Sequence, residues 1–129
     1  MTEICLVRHG QTDWNLNERI QGREDIPLNA TGRRQAELSA AYLANEEWDV
    51  LLASPLSRAV ETAEIIGRAV GLAITATDER LVEREFGAAS GEPVAAIYEA
   101  VQANDTNLVP GLETEQAIQD RVFEALQEV

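Results

Sequence analysis

Three short apolar runs, at residues 4–7, 50–53 and 73–77, punctuate this chain and dictate most of what it can fold into. Each is too short for a core helix and is bounded by polar or turn residues. Such runs read as buried strands, the kind found inside a parallel sheet rather than at its edge. The strands expected are residues 3–8, 49–54 and 73–77.

What separates them is helical. Thr31 is placed to cap a helix running to about residue 45, with Ala36, Ala40 and Leu43 on one face. The next helix is marked at both ends: Ser54 and Pro55 suit the N-cap and first helical position, and Gly71 suits the residue just past the end. Between them Leu56, Ala59, Val60, Ala63, Ile66 and Val70 recur at spacings of three and four. A Gly-containing loop at 79–91 follows, then weaker helical patterns at 93–103 and 114–129. Strands alternating with helices imply an α/β fold with a mostly parallel sheet flanked by helices on both faces. A chain of 129 residues suits one domain, 1–129, which at this size buries about two-thirds of its unfolded surface.

In such sheets ligands bind beyond the carboxyl ends of the strands. Arg8-His9-Gly10 follows the first strand, and the segment from Ser54 to Arg58 follows the second. They are distant in sequence, yet this topology lets them converge. The polar stretch 9–30 is long for a plain connection, and its anchors Trp14, Leu16, Ile20, Ile26 and Leu28 favour an ordered functional loop.

Charge narrows the partners. Twenty-three acids face ten bases, all of them Arg, for a net charge of −13. That field disfavours nucleic acid and anionic membranes, and no apolar run approaches the roughly 20 residues of a membrane span. Without Lys there is no Schiff-base chemistry and no Lys-bearing nucleotide loop. The single Cys5 cannot form an internal disulfide, which fits a reducing cytoplasm, and it reads as a strand core residue. A lone His excludes a multi-His metal site, and no spacing argues for an all-carboxylate one, so no metal is expected. Half of the Arg residues fall within residues 1–34, close to that His.

His9 at a strand end, flanked by Arg8 and Gly10, suits an exposed reactive group. Gly10 allows close backbone approach, Thr12 and Asn15 offer neutral donors, and Arg8 and Arg58 offer planar forks for phosphate oxygens. A neutral imidazole among such donors can attack phosphorus. A cysteine-dependent phosphatase would need an Arg at position 11, where Gln11 stands. The bland alternatives are a locally bonded loop His, a surface Glu83 and a helix-face pair between Arg58 and Glu61, a pair worth only about 0.2–0.5 kcal/mol.

The run Leu6-Val7-Arg8-His9-Gly10-Gln11-Thr12-Asp13-Trp14-Asn15 resembles the signature of the histidine phosphatase superfamily, also called phosphoglycerate mutase-like. The resemblance continues through Gln21-Gly22-Arg23-Glu24-Asp25-Ile26-Pro27-Leu28-Asn29, Thr31-Gly32-Arg33-Arg34-Gln35-Ala36, Ala53-Ser54-Pro55-Leu56-Ser57-Arg58-Ala59-Val60-Glu61-Thr62-Ala63 and Leu81-Val82-Glu83-Arg84-Glu85-Phe86-Gly87. It implies that His9 is the nucleophile, forming a phosphohistidine. Arg8 and Arg58, with Asn15, would hold the phosphoryl oxygens, and Glu83 would protonate the leaving group. Gln21 and Gly22 match positions lining the substrate mouth. The implied reaction uses no metal or cofactor and takes a small phosphorylated substrate.

The resemblance breaks in two places. The family uses a second catalytic His in an S-H-G-like motif, and this chain has only His9. A chain lacking its C-terminal part is the expected explanation, with a naturally short relative as the alternative. Many relatives also carry Trp and Glu where Ala89 and Ser90 stand. The compact Ser54-Pro55-Leu56-Ser57-Arg58-Ala59 motif and the loop at 21–29 look more like the small phosphatases than the mutases. A phosphomonoesterase is therefore expected, with a cofactor-dependent phosphoglycerate mutase or a non-catalytic phospho-ligand binder as alternatives.

Overall fold

The computed structural model describes residues 2–129. A short helix α1 (Asp13–Leu16) precedes α2 (Ala30–Leu43), β1 (Leu52–Ala53), α3 (Ser57–Val70), β2 (Ala76–Thr77), α4 (Val94–Gln102) and α5 (Glu115–Gln127), with 3₁₀ turns at Glu79–Leu81 and Gly87–Ala89. Strands β1 and β2 pair in parallel, with Leu52 opposite Ala76 and Ala53 opposite Thr77. α3 makes the crossover between them, as the alternation in the sequence requires.

Helices α2 and α3 pack on each other through Ala36, Ala40, Ile65 and Ile66, with Leu43 and Val70 at the margin. Alanines on the α2 face bring the two axes close. A second cluster joins Ile20, Ala89, Val101, Val109 and Leu112 under Phe86, Ile97 and Ala100. It fastens the loop after α1 to the C-terminal half. α5 lies against the turn Glu79–Leu81, where Arg80 reaches Glu124 at 3.4 Å and Glu128 at 2.6 Å. No helix among the described residues is long and apolar enough to cross a membrane.

The parallel α/β pattern stands, but the sheet is narrower than expected. Residues 3–8 form no strand: the sheet among the described residues has two strands, and 3–8 pair with neither. Leu6 is 77% exposed and Cys5 is exposed as well, so Cys5 is not a core residue. An apolar run becomes a strand only beside a neighbour that accepts its hydrogen bonds.

Two helix starts also differ from expectation. α2 is capped by Asn29, whose side chain accepts from the Gly32 amide at 2.8 Å, and Thr31 lies inside the helix. α3 begins at Ser57 rather than Pro55, and Ser54 Oγ accepts from Leu56 N at 3.3 Å. Its N-terminus is instead met by a distant side chain: Ser57 N donates to Asp25 Oδ1 at 2.7 Å. Gly71 ends α3 in the left-handed conformation, as expected (φ 78°).

Candidate functional site

Gly10 sits where a side chain could not. A Cβ there would overlap the Gly32 carbonyl at the start of α2. This close approach seats residues 9–11 against the α2 N-terminus. The Gly10 amide also donates to Thr62 Oγ1 of α3 at 3.3 Å, and that hydroxyl donates to the Arg58 carbonyl at 2.8 Å. The two segments expected to converge are thus joined by one buried hydroxyl on α3.

His9 is half-buried there. Its Nδ1 lies 2.6 Å from the Gly10 carbonyl oxygen, an acceptor only, so Nδ1 carries the proton and donates. In the neutral ring Nε2 then keeps its lone pair. Burial lowers the His9 pKa from 6.5 more than any other influence. The Gly10 carbonyl pulls it back up, the charges of Arg58 and Arg8 lower it, and Glu83 raises it. The net result is a neutral imidazole at pH 7 within the fields of two guanidinium groups and one carboxylate.

Arg58 is the most deeply buried of these groups, at 1% exposure. Its guanidinium donates to the carbonyls of Gly22 and Glu24, the latter at 2.5 Å. It is not paired with Glu61, which binds Arg33 instead. Burial lowers the Arg58 pKa, opposed by the charges of Glu83 and Asp25. The side chain has five N–H donors, so those two bonds do not exhaust it. Arg8 is exposed.

Gly22 is fixed by shape. Its φ is +49°, and a Cβ there would lie 2.7 Å from Phe86 Cδ2. Gln21 is 7% exposed and its Oε1 is 2.7 Å from Thr12 Oγ1. Thr12 is fully buried and caps α1, accepting from Asn15 N at 3.2 Å, while Asn15 Oδ1 accepts from Thr12 N at 3.0 Å. Thr12 is therefore an internal bracket and not the open donor its position in the motif suggested. Beside Asn15 a surface depression of about 340 Å³ is lined by Glu18, Arg19, Val94, Ala95 and Tyr98.

Glu83 is exposed, and its Oε1 accepts from Arg84 N at 2.9 Å. Its backbone is held from α5: Arg121 donates to the carbonyls of Arg80 and Val82 at 2.7 Å each and of Glu83 at 3.2 Å. Ser90, at one of the two departures from the family pattern, donates to Glu24 Oε1 at 3.1 Å. Among the described residues, no three of His, Cys, Asp and Glu gather so as to hold a metal ion.

Sequence reasoning placed His9, Arg8, Arg58 and Glu83 within one another's fields, and Asn15, Gln21 and Gly22 in the connected loop. It gave no role to Thr62, Asp25, Glu113 or Arg121. Thr62 stands four residues after Arg58, one helical turn on and inside the motif run that follows it, and Asp25 lies inside the loop motif.

The model of the histidine phosphatase superfamily (branch 1) matches residues 4–129. The uncharacterized phosphatase PhoE of Bacillus subtilis (strain 168) is 44% identical over 129 residues, all of this chain and 65% of that protein. The probable phosphoglycerate mutase GpmB of Salmonella choleraesuis (strain SC-B67) is 36% identical over 134 residues, covering 98% of this chain and 62% of that protein. A mycobacterial glucosyl-3-phosphoglycerate phosphatase solved in complex with VO3 superposes with a TM-score of 0.81 at 31% identity, covering 93% of this chain and 63% of the other. The chain spans less than two-thirds of the length of each of these relatives. With a family model matched along nearly all its residues and a fold shared with a solved phosphatase, the chain belongs to the histidine phosphatase superfamily.

Proposed function

We propose that the protein hydrolyses phosphomonoesters through a phosphohistidine on His9, with residues 1–129 forming part of one histidine phosphatase domain. The observation that carries this reading is the state of His9: its Nδ1 is committed to the Gly10 carbonyl and its pKa lies below 6.5. The Nε2 lone pair attacks phosphorus as the P–O ester bond breaks. Glu83 gives its proton to the departing alkoxide. The Glu83 carboxylate then takes a proton from water as that water attacks phosphorus; the new P–O bond forms as the Nε2–P bond breaks, releasing phosphate and restoring His9. Arg8 and Arg58, with Asn15, hold the non-bridging oxygens, and Gln21 and Gly22 form the rim through which the substrate enters. Phosphoryl transfer depends mainly on such positioning and charge stabilisation, which guanidinium groups supply.

His9→Ala in the full-length protein should abolish hydrolysis of a generic phosphomonoester and remove the acid-labile phosphoenzyme trapped from labelled substrate. Undiminished turnover in that variant sinks the mechanism. A phosphoglycerate mutase is the second reading, supported by relatives of that name. Phosphate release measured against phosphoglycerate interconversion separates the two.

A further inference from the structure

The mechanism leaves unexplained why α5, far along the chain from His9, sends a guanidinium into the turn that carries Glu83. Arg121 is only 16% exposed in its side chain, and each of its three nitrogens is engaged. Nη1 donates to the carbonyls of Arg80 and Val82, and Nη2 reaches the Glu83 carbonyl. Nε donates to Glu113 Oε2 at 2.8 Å and Nη2 to Glu113 Oε1 at 3.0 Å, a forked pair. Glu113 is itself 13% exposed in its side chain and also accepts from the Glu85 amide at 3.1 Å. The carbonyls of Arg80, Val82 and Glu83, and the amide of Glu85, are therefore held by one Arg–Glu pair, to which Arg23 adds a bond to the Glu83 carbonyl at 3.3 Å and a contact with Glu113 at 3.4 Å. The segment 82–86 has no helix or strand of its own, so side-chain bonds rather than a regular backbone ladder set its course.

We infer that the Arg121–Glu113 pair is the positioning element for Glu83, setting the backbone from which that carboxyl reaches the leaving group. The inference rests on the proposed role of Glu83 as proton donor. Neither residue is among the charged groups acting on His9. In the first half-reaction, formation of the phosphoenzyme, their effect falls on proton delivery, which matters for a basic alkoxide and hardly at all for a leaving group that departs as a stable anion; the water step that follows is common to every ester.

That separation supplies the test. In the full-length protein, kcat/KM, which reports only the steps up to loss of the leaving group, is compared for an alkyl phosphate and 2,4-dinitrophenyl phosphate in wild type, Glu83→Gln, Arg121→Met and Glu113→Gln. General acid catalysis contributes about 10²–10⁴-fold, so Glu83→Gln should lose on that order in kcat/KM with the alkyl ester alone, while kcat, which includes the shared water step, falls with both. Arg121→Met should lose about 10-fold or more in kcat/KM on the alkyl ester and stay within about twofold in kcat/KM on the dinitrophenyl ester, in the same sense as Glu83→Gln. Should Arg121→Met not yield folded protein, Glu113→Gln, which frees the guanidinium while leaving it in place, carries the same comparison. Equal losses on both esters, or no loss, in the Arg121 and Glu113 variants overturn the positioning role while a selective Glu83→Gln loss leaves the acid standing. A Glu83→Gln enzyme that loses nothing on the alkyl ester overturns the acid, and the positioning role with it.

Discussion

Replacing Arg58 by Met should unfold the protein more readily by about 3–5 kcal/mol, a loss that comes from the loop as much as from any phosphate. The guanidinium donates to two carbonyls, and their surroundings differ. Gly22 is buried, so its carbonyl cannot recover a partner from water; losing a charged donor there costs about 1.5–3 kcal/mol. Glu24 is exposed, so water replaces much of the second bond and the cost is about 0.5–1 kcal/mol. Imperfect packing of a thioether where a planar fork stood adds about 1 kcal/mol. For 129 residues, the lower end of that range corresponds to a fall in Tm of about 10 °C. Arg58→Lys should recover part of the loss, because one ammonium can serve one carbonyl but cannot span two. Urea unfolding of the three proteins is the assay, read as a shift in midpoint at constant slope. An Arg58→Met protein within 0.5 kcal/mol of wild type, on the scale of an ordinary surface substitution, would refute the claim that this side chain holds the loop.

Three further outcomes follow from the construction of the site and of the helices around it. Because the folded His9 pKa lies below the unfolded value of 6.5, the unfolded chain binds the extra proton first; stability should be constant well above pH 6.5 and fall as the pH drops through it. His9→Asn should lack that acid-side decline, and a wild type that gains stability relative to it on acidification contradicts the direction. Gly32→Ala should destabilise by about 1–3 kcal/mol despite lying in α2, where Ala is the better helix former, because the new Cβ would overlap the Gln11 backbone. Gly71→Ala meets no atom within 4 Å and should cost only the left-handed conformation, about 1–2 kcal/mol; thermal melts should place both variants below wild type.

The helices were legible because their information is local. Apolar spacing marked α3, and Gly71 marked its end. α2 started at the wrong cap because Asn29 and Thr31 are both capping residue types, and only geometry selects Asn29, whose Oδ1 reaches the Gly32 amide. Residues 3–8 carry a strand's composition without a strand's pairing, since pairing depends on a neighbour that composition does not encode. In the site, the residue types of His9, Arg8, Arg58 and Glu83 announced themselves by motif. The acceptors that occupy Arg58 did not: Gly22 and Glu24 contribute main-chain oxygens, which every residue has. The same blindness hid Arg121, whose partners are again mostly carbonyls.

Asp25 at the head of α3 has a consequence for how the rim behaves. The Ser57 amide holds the Asp25 carboxyl below its usual pKa range, so the bond persists across neutral pH. Together with the two Arg58 bonds, it rivets the segment 22–25 to α3 at three successive points. Swinging that segment outward would strip a helix N-terminus and two carbonyls of their partners at once. If this segment forms the rim proposed above, that rim is a fixed aperture that selects by fit and does not wrap around what enters.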